Sequence, residues 1–360
     1  METSQKTLPA FTPQATNLCK GIAICIMVYY HCFGATDESL FTPVLPFLYR
    51  ILGPYGNVCV PFFVILTGYG FALKYLRHDR PVLRQLRTRT VRLYQSYWPA
   101  FLLGFLITPV IGRFWTGLST TYGEGTPFQL LERILINALG LSHYAYGDGI
   151  YTLNQTWWYM SLALILLLFL PCFCAMFERL RFWSLGIVTL AALLLPSFRY
   201  LAYFPAAMLG VCLAGSSGFG RVKERAGLGG RWYLSVPLQL LGLFLVLLLW
   251  YRLRQQDLYP VLANTLAAWA ISQFCFNLLA GIPVLGRLLR YLGRHSGNIF
   301  YLHSFILSYA NYTGVLVFRL HYDLLIFAAV LLVSLAMSIC LEWFKRVSRW
   351  NRLMDTLAGT

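Results

Sequence analysis

Lys20 and His31 bracket the run Lys20-Gly21-Ile22-Ala23-Ile24-Cys25-Ile26-Met27-Val28-Tyr29-Tyr30-His31. At about 100° per residue, the step between them ends about 20° past three full turns. On a helix the two side chains share a face, about 16 Å apart along the axis. Imidazole changes protonation near neutral pH, so His31 is suited to take a proton from a hydroxyl as a general base. A less favoured option is a covalent carrier of the transferred group. Arg89 and Arg92 stand three apart, in register for one helix face, in a cluster that also holds Arg84 and Arg87. The planar guanidinium fork suits phosphate, which it grips through two parallel hydrogen bonds. His303, with Tyr301 and Ser304, forms a later candidate group for a supporting or donor-side role. Each residue also has a bland reading. Lys20 is then a snorkelling interfacial lysine, the histidines bond between helices, and the arginines only set topology.

These residues must be positioned by membrane helices. The chain has 360 residues, 58% hydrophobic and 12% charged, with a mean hydropathy of +0.61. Soluble domains are about 25% charged, so the composition excludes a soluble enzyme, a disordered chain and a nucleic-acid binder. An all-α polytopic bundle is expected, because a crossing helix needs about 20 apolar residues. Ten segments qualify: 18–34, 57–76, 91–112, 155–177, 180–197, 199–214, 233–252, 259–280, 298–318 and 322–344. The fifth and sixth are short and flank Pro196, so a re-entrant hairpin is an alternative there.

The net charge of +16 orients the bundle. With ten crossings, 22 of the 29 Lys and Arg residues fall on the side of the N-terminus. Basic loops stay cytoplasmic, which predicts both termini inside. The expected organisation is a cytoplasmic segment 1–17, a membrane domain 18–344 with an outer loop 113–154, and a cytoplasmic tail 345–360. Residues 1–17 lack the apolar core of a signal peptide. The outer loop reads as a lid, an acceptor platform or an ordered connector. The triplet Asn154-Gln155-Thr156 is a formal glycosylation acceptor of little weight. The nine cysteines sit mostly in apolar runs, and the Cys172/Cys174 pair has no second pair, so no metal site is expected. All 13 carboxylates fall in loops or at helix ends. A proton-coupled transporter normally carries one inside the membrane, so this distribution weighs against that class.

Five segments, in order, resemble the acyltransferase-3 family of integral membrane O-acyltransferases. Lys20 to His31 resembles its Arg/Lys-x10-His signature. Val60-Pro61-Phe62-Phe63-Val64-Ile65-Leu66-Thr67-Gly68-Tyr69 resembles its Phe-Phe-Val-x-Ser-Gly-Phe segment. Arg89-Thr90-Val91-Arg92-Leu93-Tyr94 resembles its Arg-x-x-Arg-Ile-x-Pro segment. Thr156-Trp157-Trp158-Tyr159 resembles the start of a middle helix. Leu292 to His303 resembles the late Leu-Gly-x-x-Ser-x-x-Ile-Tyr-Leu-x-His segment. The likeness runs from about 17 to 344. The chain departs from the pattern at Gln95 in place of Pro, at Thr67 in place of Ser, and at Ala163 near the usual Glu.

The resemblance implies transfer of an acyl group, usually acetyl, from cytoplasmic acyl-CoA to a hydroxyl of a cell-surface carbohydrate or related acceptor. It implies His31 as base, and Arg89, Arg92 and Lys20 at the donor phosphates, with His303 as a further donor-side candidate. Lys20 is also a candidate for the thioester oxyanion, although its axial distance from His31 argues against that. The donor acetyl-CoA is a substrate, and no permanently bound cofactor is expected. The expected partners are acyl-CoA, a carbohydrate or lipid-linked carbohydrate and membrane lipid, and the expected location is the inner (cytoplasmic) membrane, multi-pass. A transporter or flippase for a lipid-linked sugar is the competing reading, since a chain that is 16% aromatic also suits sugar stacking. A catalytically dead sensor or scaffold on the same fold is a third.

Overall fold

The computed structural model describes residues 12–77, 81–112, 121–147, 149–218, 220, 231–257, 259–279, 282–308 and 313–359. Much of the expected N-terminal segment, part of the outer loop (113–120) and the basic loop at 221–230 lie outside the described residues. The helices of nine residues or more, in chain order, are α1 (Pro13–Phe33), α2 (Pro46–Tyr55), α3 (Cys59–Tyr75), α4 (Val82–Gly112), α5 (Pro127–Ala138), α6 (Trp158–Leu180) and α7 (Trp183–Leu194). They continue with α8 (Phe204–Gly215), α9 (Trp232–Gln255), α10 (Pro260–Asn277), α11 (Pro283–Ser308), α12 (Asp323–Val347) and α13 (Trp350–Ala358). The described residues contain no β-strand, only an isolated bridge between Thr42 and Tyr322.

Each expected apolar segment contains a helix. Among the described residues, four stretches are long and apolar enough to cross a membrane: Pro46–Tyr75, Gln155–Leu180, Tyr233–Gln255 and Asp323–Val347. In the Tyr233–Gln255 stretch only 11% of the most apolar window is buried inside the protein. Leu238, Leu241, Phe244, Leu245 and Leu249 are all exposed on α9. So continuous an apolar surface needs an apolar surrounding, and lipid supplies it. Helices α7 and α8 have 12 residues each. At 1.5 Å per residue each is about 18 Å long, against a hydrocarbon core of about 30 Å.

The chain divides into two compact units. One holds Met1–Ala35, Leu45–Arg80 and Phe169–Ser296; the other holds Thr36–Val44, Pro81–Leu168 and Gly297–Thr360. In the first unit, α1 starts where the Thr12 hydroxyl accepts from the Ala15 amide and Pro13 fits the first turn. It packs against α2, α3 and α10. Helices α3 and α8 meet backbone to backbone: a Cβ on Gly68 would lie 2.2 Å from the Ala207 carbonyl oxygen, and one on Gly210 would lie 2.3 Å from that of Ile65.

In the second unit the described part of the expected outer loop is built rather than loose. Helix α5 opens with a capping box, Thr126 with Gln129, and Pro127 in its first turn. Its far end is held by α4: Tyr97 donates to the Asn137 carbonyl, Trp98 Nε1 to that of Ala138 at 3.0 Å, and Tyr94 to that of Leu139 at 2.8 Å. Helix ends leave such carbonyls unsatisfied, and three aromatic donors satisfy them here. The Asn137 side chain is a hub. It accepts from Tyr122 at 2.9 Å and the Leu153 amide at 3.1 Å, and donates to Thr152 at 3.2 Å. Asn137→Leu removes these three buried hydrogen bonds, at about 0.5–1.5 kcal/mol each. A fall in the thermal midpoint of the purified protein is the expected outcome. An unchanged midpoint would mean that the hub carries no stability.

Candidate active site

Helix α1 runs unbroken from Pro13 to Phe33, so the Lys20–His31 register holds. Both side chains are half-buried. Ile24 and Met27 lie between them on the same face and are 0% and 2% exposed. That face is therefore packed along its middle and accessible near its two polar residues.

Two motif glycines seat α1. A Cβ on Gly21 would lie 2.0 Å from the Leu289 carbonyl oxygen, and a Cβ on Gly293 would lie 1.7 Å from that of Asn17. Helices α1 and α11 thus touch through their backbones beside Lys20. Only a residue without a side chain fits either position.

Arg89, Arg92 and His303 belong to the second unit. The arginine cluster lies on the first turns of α4, and most of it meets helix α13. Arg84 Nη2 donates to the Gly359 carbonyl at 2.8 Å, and Arg87 Nε to that of Leu357 at 2.7 Å. Thr88 donates to the Ala358 carbonyl at 3.2 Å. Arg92 forms an ion pair with Asp355 at 2.7 Å and also donates to Gln95 Oε1 at 2.9 Å. Arg89 points about 140° away from Arg84 around the helix, and about 60° from Arg92. Arg87 and Arg92 are also about 140° apart, so the four are spread around the helix, and what Arg84, Arg87 and Arg92 share is contact with the α13 segment.

Gln95 stands where proline was expected. Its side chain donates to Asn351 at 2.9 Å, and its carbonyl accepts from Trp350 Nε1 at 3.1 Å. The departure at this position anchors α13.

His303 is fully buried on α11. Its Nδ1 donates back to the carbonyls of Ile299 at 3.1 Å and Phe300 at 2.9 Å. Both partners are carbonyl oxygens, so Nδ1 carries a proton. The neighbouring Ser304 joins the end of the outer loop: Asn154 Nδ2 donates to its hydroxyl at 2.5 Å, and Thr156 Oγ1 lies 3.2 Å from it. Asn154, the nominal glycosylation residue, is 2% exposed and serves this junction. Trp157 from the middle motif donates to the Tyr301 carbonyl at 3.2 Å. Tyr97, Trp157, Tyr301 and Phe305 pack as one aromatic core.

The sequence reasoning missed a buried charged group. Lys345 is 1% exposed and donates to Asn298 at 2.9 Å and to Glu342 at 2.8 Å. Asn298 Nδ2 in turn donates to Glu342 at 2.8 Å and Ser338 at 3.1 Å. Lys345 was counted as an orienting charge, since nothing local distinguishes a buried lysine from a topological one. The i, i+3 spacing of Glu342 and Lys345 was the available signal.

A family model described as an acyltransferase domain matches residues 14–343. No curated protein matches the chain, and no solved structure does.

Proposed function

The chain belongs to the acyltransferase-3 family and is a membrane acyltransferase, and from that premise we propose that it moves an acyl group, in the first place acetyl, from cytoplasmic acyl-CoA to a hydroxyl of a cell-surface carbohydrate. Helix α1 carries the reading, because it presents an imidazole and an ammonium three turns apart within the matched region. His31 takes the acceptor hydroxyl's proton as its oxygen attacks the thioester carbonyl. The new C–O bond forms, the C–S bond breaks, and the imidazolium returns the proton to the departing thiolate. Arg89 and Arg92 hold donor phosphates, with Lys20 as a further phosphate contact and His303 as a further donor-side residue. The usual mid-helix Glu is absent, and Ala163 at that place is buried, so it supplies no carboxylate to orient the acceptor. In this reading the chain crosses the inner membrane ten times with both termini in the cytoplasm, an orientation that the distribution of basic residues supports.

The direct test is CoA binding and acyl-CoA turnover by the purified full-length protein. Arg92→Ala should weaken CoA about five- to tenfold, because it removes a charge-assisted contact. An unchanged donor affinity would take Arg92 out of the phosphate site. Mass spectrometry of surface glycans, with and without the protein, tests the acceptor class.

A further inference from the structure

Helix α13 (Trp350–Ala358) is short, basic residues precede it, and the proposed chemistry does not use it. Its first residues are held to Gln95 of α4 through Trp350 and Asn351. Beyond them the α13 segment supplies the acceptor and an α4 arginine or threonine the donor: Arg84 to Gly359, Arg87 to Leu357, Thr88 to Ala358, Arg92 to Asp355. Three of these acceptors are last-turn carbonyls, the end of a helix that carries about half a negative charge. The fourth is a carboxylate. Helix α13 therefore presents to the arginines what a phosphate presents, oxygen acceptors with negative charge.

The arginine part of this hold lies at the surface. The Arg92 and Asp355 side chains are 45% and 44% exposed, and an exposed pair contributes little. Arg84 and Arg87 remain exposed despite their contacts. An open cleft of about 470 Å³ lies beside them, lined by Leu83, Arg84, Arg87, Ala358 and Gly359. A phosphate offers three oxygens and more charge than any one of these acceptors, so it competes well for the same forks.

We propose that Arg84, Arg87 and Arg92 form a phosphate-binding row for the nucleotide end of the donor, and that α13 fills this row until a donor displaces it. The inference rests on acyl-CoA being the donor. It extends the donor site two turns towards the start of α4 and makes the C-terminal helix its gate.

The test uses full-length protein and follows tryptic cleavage after Arg352, inside α13, during titration with CoA and separately with inorganic pyrophosphate. CoA binding is measured in parallel. Both anions should speed cleavage in a saturable way. Asp355→Asn should raise the basal cleavage rate and tighten CoA roughly two- to fivefold. CoA that binds without changing the cleavage rate, together with an unaltered affinity in Asp355→Asn, overturns the row and leaves the donor assignment standing. Pyrophosphate that releases α13 in a protein that never binds CoA supports the row and defeats the donor assignment. Cleavage that responds to neither anion overturns the proposal.

Discussion

His31→Ala should lower acyl transfer by about 10²–10⁴-fold, the usual contribution of a positioned general base. The acceptor hydroxyl is a poor nucleophile while it keeps its proton, and the proposed site contains no other imidazole on α1. His31 is half-buried rather than part of the packed core, so expression, membrane insertion and thermal midpoint should stay near those of the parent. His31→Gln keeps a polar side chain without the basic nitrogen, and it should lose the same rate. Rates are read as CoA release and as acylated acceptor in the same reaction. A variant that still modifies its acceptor at the parental rate would show that the base is another group, and the shared face with Lys20 would lose its meaning.

Gly293→Val should cost more in stability than any other single change considered. The first carbon of a side chain there would lie 1.7 Å from the Asn17 carbonyl oxygen. The obstacle is backbone, so no rotamer change relieves it, and α1 and α11 must separate. Overpacking a tight contact costs about 1–3 kcal/mol, and more where backbone must move. The variant should show a lower thermal midpoint and yield, and what survives should bind CoA poorly, because the separation displaces Lys20. Gly242→Ala on α9 is the control. A Cβ there meets nothing within 4 Å, and replacing a mid-helix glycine gains about 0.5–1 kcal/mol. Equal stabilities for the two variants would mean that the α1–α11 contact is not tight.

The sequence by itself determined whatever depends on local period and composition. The apolar segments fold as helices because length and hydropathy decide that within each segment. Lys20 and His31 share a face because 3.6 residues per turn is a property of the helix alone. The five motif segments, and with them the family, were legible for the same reason. Tertiary structure decided which partners those segments meet. Nothing local marks Gly21 and Gly293 as contact points, and the backbone of a distant helix lies against each. The four arginines read as one cluster until α13 engages Arg84, Arg87 and Arg92. The outer loop read as lid, platform or connector, and three carbonyls at the end of α5 tie it down. Apart from the Asp355 carboxylate on Arg92, the decisive partner in these cases is a backbone carbonyl, and every residue has one. No side-chain pattern marks a carbonyl as an acceptor for a distant helix, so only the folded chain reveals the choice.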